Sequence, residues 1–328
     1  MEKKRVLSGI RANGRLHLGN YLGAVKGMLS LQNDPRYDTF YMVADLHSIN
    51  VPYDPKGFPQ AVREVVLDYL AAGLDPQKST IFIQSQVYEH VELSYLFSTV
   101  VTVARMQHLP TFKEKVKSYP RYVNMALLYY PVLMAADILV YGASLVPVGI
   151  DQEPHLEIAR EIAQKMNDRF GLKLPEPQRF ATPGEYVPSL TGEGKMAKSV
   201  EGSSILLTDN LETIQKRLAV VPTDSGKGEV VPTDGGVAAL LKFVELFMGE
   251  EKRREYEAQY VAEGIQYGKL KRELGEAIFV ELEPIQRRRA ELEADPEAVD
   301  RIIAEGAEKA KKVASVTLAE VKRAMGLI

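Results

Sequence analysis

Along the first third of the chain, short apolar runs alternate with longer stretches in which apolar positions recur every three or four residues. Arg5–Ser8, Thr39–Ala44 and Thr80–Gln84 read as strands, and helices are expected from Leu18, near Pro59–Gly73 and near Val91–Ala104. That alternation predicts an α/β unit built on a doubly wound parallel sheet. Such sheets bind ligands beyond the carboxyl ends of their strands, so the loops carrying His17, Asp45 and Gly149 are expected to lie together.

The rhythm changes after Ser203. One short apolar run, Ser204–Leu207, is followed by segments with helical periodicity: Asp209–Leu218, Val237–Met248, Lys252–Glu263 and Lys269–Leu282. A last helix, about Val299–Met325, carries Ile303, Ala307, Ala310, Val313 and Ala314 at a spacing suited to packing along one face, and is expected to return to the sheet. Three units follow: a sheet domain over residues 1–202, a helical domain over 203–285 and a returning segment over 286–328.

Composition narrows the class only modestly. The chain has 328 residues, 45% of them apolar, enough for a large core. No apolar run follows Met-Glu-Lys-Lys-Arg and no segment is long and apolar enough to span a bilayer, so the expected compartment is the cytoplasm, with no membrane partner. There is no cysteine, and the five histidines show no ligand spacing, so no protein-bound metal is expected. A net charge of −3 leaves nucleic-acid contact to local patches. Candidates are Lys113, Lys115, Lys117 and Arg121 with Tyr119 and Tyr122, Arg287-Arg288-Arg289, and Lys309 with Lys311 and Lys312; each such patch is more often solvated surface.

Two short stretches carry phosphate-handling chemistry. His17-Leu18-Gly19-Asn20 follows the first strand and opens a helix, where free N–H groups and the helix dipole suit an anion and Gly19 permits close approach. Lys195-Met196-Ala197-Lys198-Ser199, framed by Gly192, Gly194 and Gly202, is a doubly cationic loop. A third stretch, Tyr130-Pro-Val-Leu-Met134-Ala-Ala-Asp137, puts a phenol, a thioether and a carboxylate on one helix face. A buried carboxylate needs a donor, and an indole N–H would supply one while its rings pack on Met134; an Asp paired inside the core is the plainer alternative. The next segment, Leu145 to Gln152, reads as a buried strand and a turn, with Val146 and Val148 on one side, Asp151 as N-cap and Pro154 in the first helical turn.

The first two stretches resemble the paired signatures of the class I aminoacyl-tRNA synthetases, HIGH and KMSKS. Asn20 stands where the second histidine would be, as in the tryptophan and tyrosine branch, and Ala197 replaces a serine. Tyr130–Leu139 and Val146–Gln152 are similar to the YPxLMAADIL and VPVGxDQ segments of tryptophanyl-tRNA synthetases. The likeness runs the whole length, including Phe112-Lys-Glu-Lys115, Thr223-Asp-Ser225 and Glu305-Gly-Ala-Glu-Lys-Ala. On it, the chain is identified as a member of the bacterial-type tryptophanyl-tRNA synthetases.

The resemblance implies a Rossmann-like sheet of the HUP type with a helical C-terminal domain that meets the tRNA anticodon. It implies that Asp137 accepts the indole N–H, that Tyr130 and Gln152 hold the ammonium group, and that Met134, Val146 and Val148 line the ring slot, completed by Leu7 and His47. ATP would meet Arg11, Ala12, Asn13, Gly19, Asn20, Gly149, Ile150, Asp151, the backbone near Val187, and Lys195, Met196, Ala197, Lys198 and Ser199. Relatives often have glutamine at the place of Arg11.

In the implied reaction the tryptophan carboxylate attacks the α-phosphorus of ATP, pyrophosphate leaves, and the aminoacyl group passes to the 3′ end of tRNA(Trp). No protein nucleophile is needed. Lys195, Lys198 and Lys115 would stabilise the developing phosphate charge, His17 would donate to a phosphate oxygen, and Mg²⁺ would travel with ATP. A homodimer is implied, with the Val91–Ala104 surroundings as its candidate surface. The alternatives are a tyrosyl-tRNA synthetase, which typically has glutamine at the place of Met134; a cofactor adenylyltransferase, which generally lacks the helical half; and a non-catalytic synthetase paralogue, which usually loses a lysine or the HLGN glycine.

Overall fold

The computed structural model describes residues 3–181, 186–198 and 200–328. Strands β1 (Lys4–Arg11), β2 (Tyr37–Ala44), β3 (Ser79–Ile83), β4 (Leu145–Pro147) and β5 (Gln178–Phe180) form one parallel sheet in the order β3-β2-β1-β4-β5. The chain steps outward from β1 to β3 and then restarts on the other side of β1 at β4. That reversal leaves a crevice above the carboxyl ends of β1 and β4. Below it, Ser8 Oγ donates to the carbonyl of Pro147 at 3.0 Å, pinning the two strands together.

Successive strand residues point to opposite faces, and here both faces are covered. Val6, Tyr41 and Ile81 enter one apolar core, whereas their neighbours Leu7, Phe40 and Phe82 enter the other. The first core takes in the Phe58–Ala71 helix and runs on into the helical half through Ile214, Leu240, Phe243 and Leu274. The second is closed by the helices Glu89–Ser98, Met125–Leu139 and Glu153–Phe170 and by Ala310, Ala314, Leu318 and Val321 of the last helix, Pro296–Ala324. That helix packs against the sheet. Gly306 lies so close to β3 that a Cβ would sit 1.7 Å from the Ile81 carbonyl oxygen.

Three expectations change. The stretch Val91–Ala104 is two helices, Glu89–Ser98 and Val103–Gln107, because Thr102 caps the second by accepting from the Arg105 N–H at 3.2 Å. The helix expected to stop at Leu282 continues as Tyr267–Ala294, straight through the 285/286 boundary. Pro284 removes one N–H, but the carbonyl it would have served belongs to Val280, on the solvent side. The short apolar run Ser204–Leu207 lies beside the HLGN turn: Leu18 N–H donates to Ile205 O at 2.9 Å and Leu207 N–H to Leu16 O at 3.0 Å. Finally, Asp151 lies within the short 3₁₀ turn Ile150–Gln152, and Gln152 is the N-cap of the Glu153–Phe170 helix, with Pro154 in its first turn.

Candidate functional site

The lysine loop straddles the crevice. Lys198 Nζ donates to the carbonyl of Asn13, in the turn after β1, at 3.0 Å, and Lys195 Nζ donates to Asp151 Oδ1, in the turn after β4, at 3.1 Å. Between them, Met196 is buried and its sulfur accepts from the Gly19 N–H at 3.3 Å, while its own N–H bonds to Val187 O at 2.9 Å. The loop is therefore anchored to the HLGN turn by the methionine and leaves both ammonium groups at the crevice. At Ala197 the backbone is tied down by Ser203, whose Oγ donates to the Ala197 carbonyl and lies 3.3 Å from its N–H. Ser199 lies outside the described residues.

The surroundings favour an anion. Burial lowers Lys198 to about 8, and burial followed by the charge of Arg11 lowers Lys115. Among the described residues no carboxylate comes within ion-pair distance of Lys198, Lys115 or Arg11, so positive charge accumulates there in a chain whose net charge is negative. His17 is buried, and desolvation followed by Lys198 lowers it to about 4; it is neutral at pH 7, and among the described residues its Nδ1 has no partner. Its backbone N–H donates to Asn20 Oδ1 at 3.3 Å. Any Cβ on Gly19 would lie 2.8 Å from the His17 ring, and one on Gly149 would lie 2.6 Å from Asp151 Oδ1. Ala12 is buried, with its N–H bound to Ser48 Oγ at 2.7 Å, whereas Ile150 is exposed.

At the other end of the crevice Asp137 is fully buried and held by three side chains from three elements. Its Oδ2 lies 2.7 Å from His47 Nε2; its Oδ1 accepts from Gln84 Nε2 at 2.8 Å and lies 2.6 Å from His90 Nδ1. Burial alone would raise this carboxyl, but hydrogen bonds from His47 and then His90 prevail and hold it at about 2. His90 is itself fixed by the Tyr141 hydroxyl at 2.6 Å. A carboxylate offers about four acceptor positions, so one remains for a further donor. Leu7 and Val146 are buried beneath the site, while Met134 and Val148 are only partly covered and pack on the same core.

Tyr130 joins a second network. Its hydroxyl lies 2.8 Å from His155 Nε2, which Thr111 Oγ1 also approaches at 2.9 Å; His155 Nδ1 lies 2.9 Å from Gln152 Oε1, and Gln152 Nε2 donates to Asp151 Oδ2 at 2.8 Å. Gln84, His90, Thr111 and His155 are missing from the residues expected on sequence. Only His155 left a signal, standing three positions after Gln152 on the same helical face.

The basic patches fare differently. Lys113, Lys117, Arg121 and Tyr122 are exposed. Arg289 instead is buried against Glu64 and Asp68, Arg288 donates to Leu70 O at 3.0 Å, and Lys311 lies over the Tyr88 ring, so a nucleic acid cannot meet the Arg287–Arg289 run as a unit. Among the described residues no cluster of three or more acidic or histidine side chains could hold a metal ion, and no helix is long and apolar enough to cross a membrane.

The family described as tRNA synthetases class I (W and Y) matches residues 1–283. A tryptophan–tRNA ligase of Porphyromonas gingivalis is 40% identical over 328 residues, covering 98% of each chain. The tryptophanyl-tRNA synthetase of Mycoplasma pneumoniae superposes with a TM-score of 0.87 at 34% identity, covering 100% of this chain and 99% of that one. That of Campylobacter jejuni, solved with ADP and tryptophan, gives a TM-score of 0.83 at 32% identity, covering 98% and 100%.

Proposed function

Since the chain belongs to the class I tRNA synthetases for tryptophan and tyrosine, we propose that it activates L-tryptophan with ATP and transfers it to the 3′ end of tRNA(Trp). The observation that carries this reading is the position of the two lysines of one loop on opposite sides of the strand reversal, Lys198 at the β1 turn and Lys195 at the β4 turn. A nucleotide lying across β1 and β4 meets both. A tryptophan carboxylate oxygen attacks the α-phosphorus, the bond to the β-phosphate breaks, and pyrophosphate leaves; a ribose hydroxyl of the tRNA then takes the aminoacyl group and AMP departs. Lys195, Lys198 and Lys115 offset the developing charge, and neutral His17 donates through its ring N–H. Mg²⁺ arrives on the ATP phosphates as part of the substrate.

In the same reading Asp137 gives its remaining acceptor position to the indole N–H, the rings lie against Met134 and Val148, and Tyr130 and Gln152 receive the ammonium group. ATP is held by Arg11, Ala12, Asn13, Gly19, Asn20, Gly149, Ile150, Asp151, Val187 and the Lys195–Ser199 loop. The helical residues 203–285 meet the anticodon and the exposed Lys113, Lys117 and Arg121 take part in tRNA contact. The protein acts in the cytoplasm as a homodimer: Tyr88, Val91 and Tyr95, 59%, 50% and 70% exposed, form an apolar stripe at i, i+3 and i+7, which a second copy would cover. Charging of tRNA(Trp) with labelled tryptophan tests the proposal, and sedimentation at micromolar concentration tests the dimer. Absence of charging in protein that still performs ATP–pyrophosphate exchange would confine the function to activation.

A further inference from the structure

The hydrogen bonds around His155 have a direction. Asp151 is a carboxylate and only accepts, so Gln152 must turn its amide nitrogen toward Asp151 Oδ2, 2.8 Å away. That leaves Gln152 Oε1 facing His155 Nδ1 at 2.9 Å, and an amide oxygen requires the proton to sit on Nδ1. His155 is buried, and desolvation lowers it to about 4, so it carries one proton and its Nε2 is an acceptor. The single lone pair of Nε2 has two hydroxyls within reach, and the Tyr130 hydroxyl, nearer at 2.8 Å than Thr111 at 2.9 Å, donates inward to it. At the far end the chain is anchored by Lys195, which donates to Asp151 at 3.1 Å.

We propose that His155 is a positioning residue that turns the hydroxyl of Tyr130 and the amide oxygen of Gln152 into fixed acceptors for the substrate's ammonium group. A phenol free to rotate presents a proton to a cation about as readily as a lone pair. With its proton committed to His155, Tyr130 offers only lone pairs outward, and Gln152 Oε1 keeps one for the same cation. The imidazole does not itself touch substrate. This inference rests on the reading that Tyr130 and Gln152 receive the ammonium.

The test is calorimetric binding of L-tryptophan and of indole-3-propionate, which keeps the ring and carboxylate but lacks the ammonium, to the intact wild type, His155→Ala and Tyr130→Phe proteins. His155→Ala should weaken tryptophan about tenfold or more while changing indole-3-propionate less than about twofold, since hydrogen bonds to charged groups outweigh neutral ones by that order. In pyrophosphate exchange the KM for tryptophan should rise by a similar factor with little change in kcat. Equal weakening of both ligands would make His155 a packing residue and overturn the proposal, as would unchanged tryptophan binding. If Tyr130→Phe discriminates between the ligands and His155→Ala does not, the ammonium reading stands and the relay alone fails; if neither discriminates, both fall. His155→Leu, which fills the volume without a polar atom, carries the same expectation should the alanine variant not fold.

Discussion

Lys198 donates to the backbone carbonyl of Asn13 at 3.0 Å, joining positions 185 residues apart across the mouth of the sheet. The contact is neutral and easily exchanged for a phosphate oxygen, which is the stronger acceptor. Lys198→Ala should therefore lower kcat for tryptophan-dependent pyrophosphate exchange by roughly 10² to 10³, the usual cost of one donor aimed at developing charge, with the KM for tryptophan within about threefold. Steady-state exchange at saturating ATP checks it.

Because burial lowers Lys198 to about 8, its charge in the free protein is present below that pH and lost above it. ATP affinity should fall between pH 7 and pH 9, and Lys198→Arg, which stays charged throughout, should flatten that dependence. Titration of ATP at the two pH values, with and without the substitution, reads the effect.

Asp137→Ala removes the acceptor shared by His47, Gln84 and His90 as well as the position proposed for the indole N–H. Tryptophan affinity should drop by about 10² or more, while ATP affinity stays within about threefold, since no ATP-facing residue bonds Asp137. Parallel calorimetry with the two substrates separates the effects.

Strands β1 to β4 and the signature loops were legible because periodicity and glycine turns are local properties, whereas the three-residue β5 is too short to show a period. Asp137 was legible through its spacing from Tyr130 and Met134, yet its partners sit after β2, after β3 and on the Glu89–Ser98 helix, and only the sheet order brings them together. The relay through His155 was hidden for a related reason: a 3₁₀ turn displaced the expected N-cap from Asp151 to Gln152 and set its side chains along a different line. Arg289 read as surface beside two other arginines, although the helix turns it inward onto Glu64 and Asp68.

That buried cluster gives a stability prediction. Burial pushes Asp68 up against the opposing charge of Arg289, so removing the arginine leaves a carboxylate with no counter-ion in the core. Arg289→Ala should destabilise by about 3–5 kcal/mol. Arg287→Ala, which breaks only an exposed i,i+4 pair with Glu283, should cost less than about 1 kcal/mol. Thermal melts of the two variants make the comparison.

His17 and His155 are both lowered to about 4, against 6.5 in the unfolded chain. Between those values the unfolded state binds the protons and the folded state does not, so stability is full above pH 6.5 and falls as pH drops toward 4, by up to about 3 kcal/mol for each histidine. Urea midpoints at pH 7 and pH 5 should differ accordingly, and His155→Leu should remove part of the difference.

ATP–pyrophosphate exchange with purified protein and each of the twenty amino acids in turn, without tRNA, decides whether the site activates tryptophan. Exchange with tryptophan alone is expected. Exchange with tyrosine in its place would contradict the assignment of the pocket around Asp137 and Met134, and exchange with none of them would contradict the catalytic reading of the Lys195 and Lys198 loop.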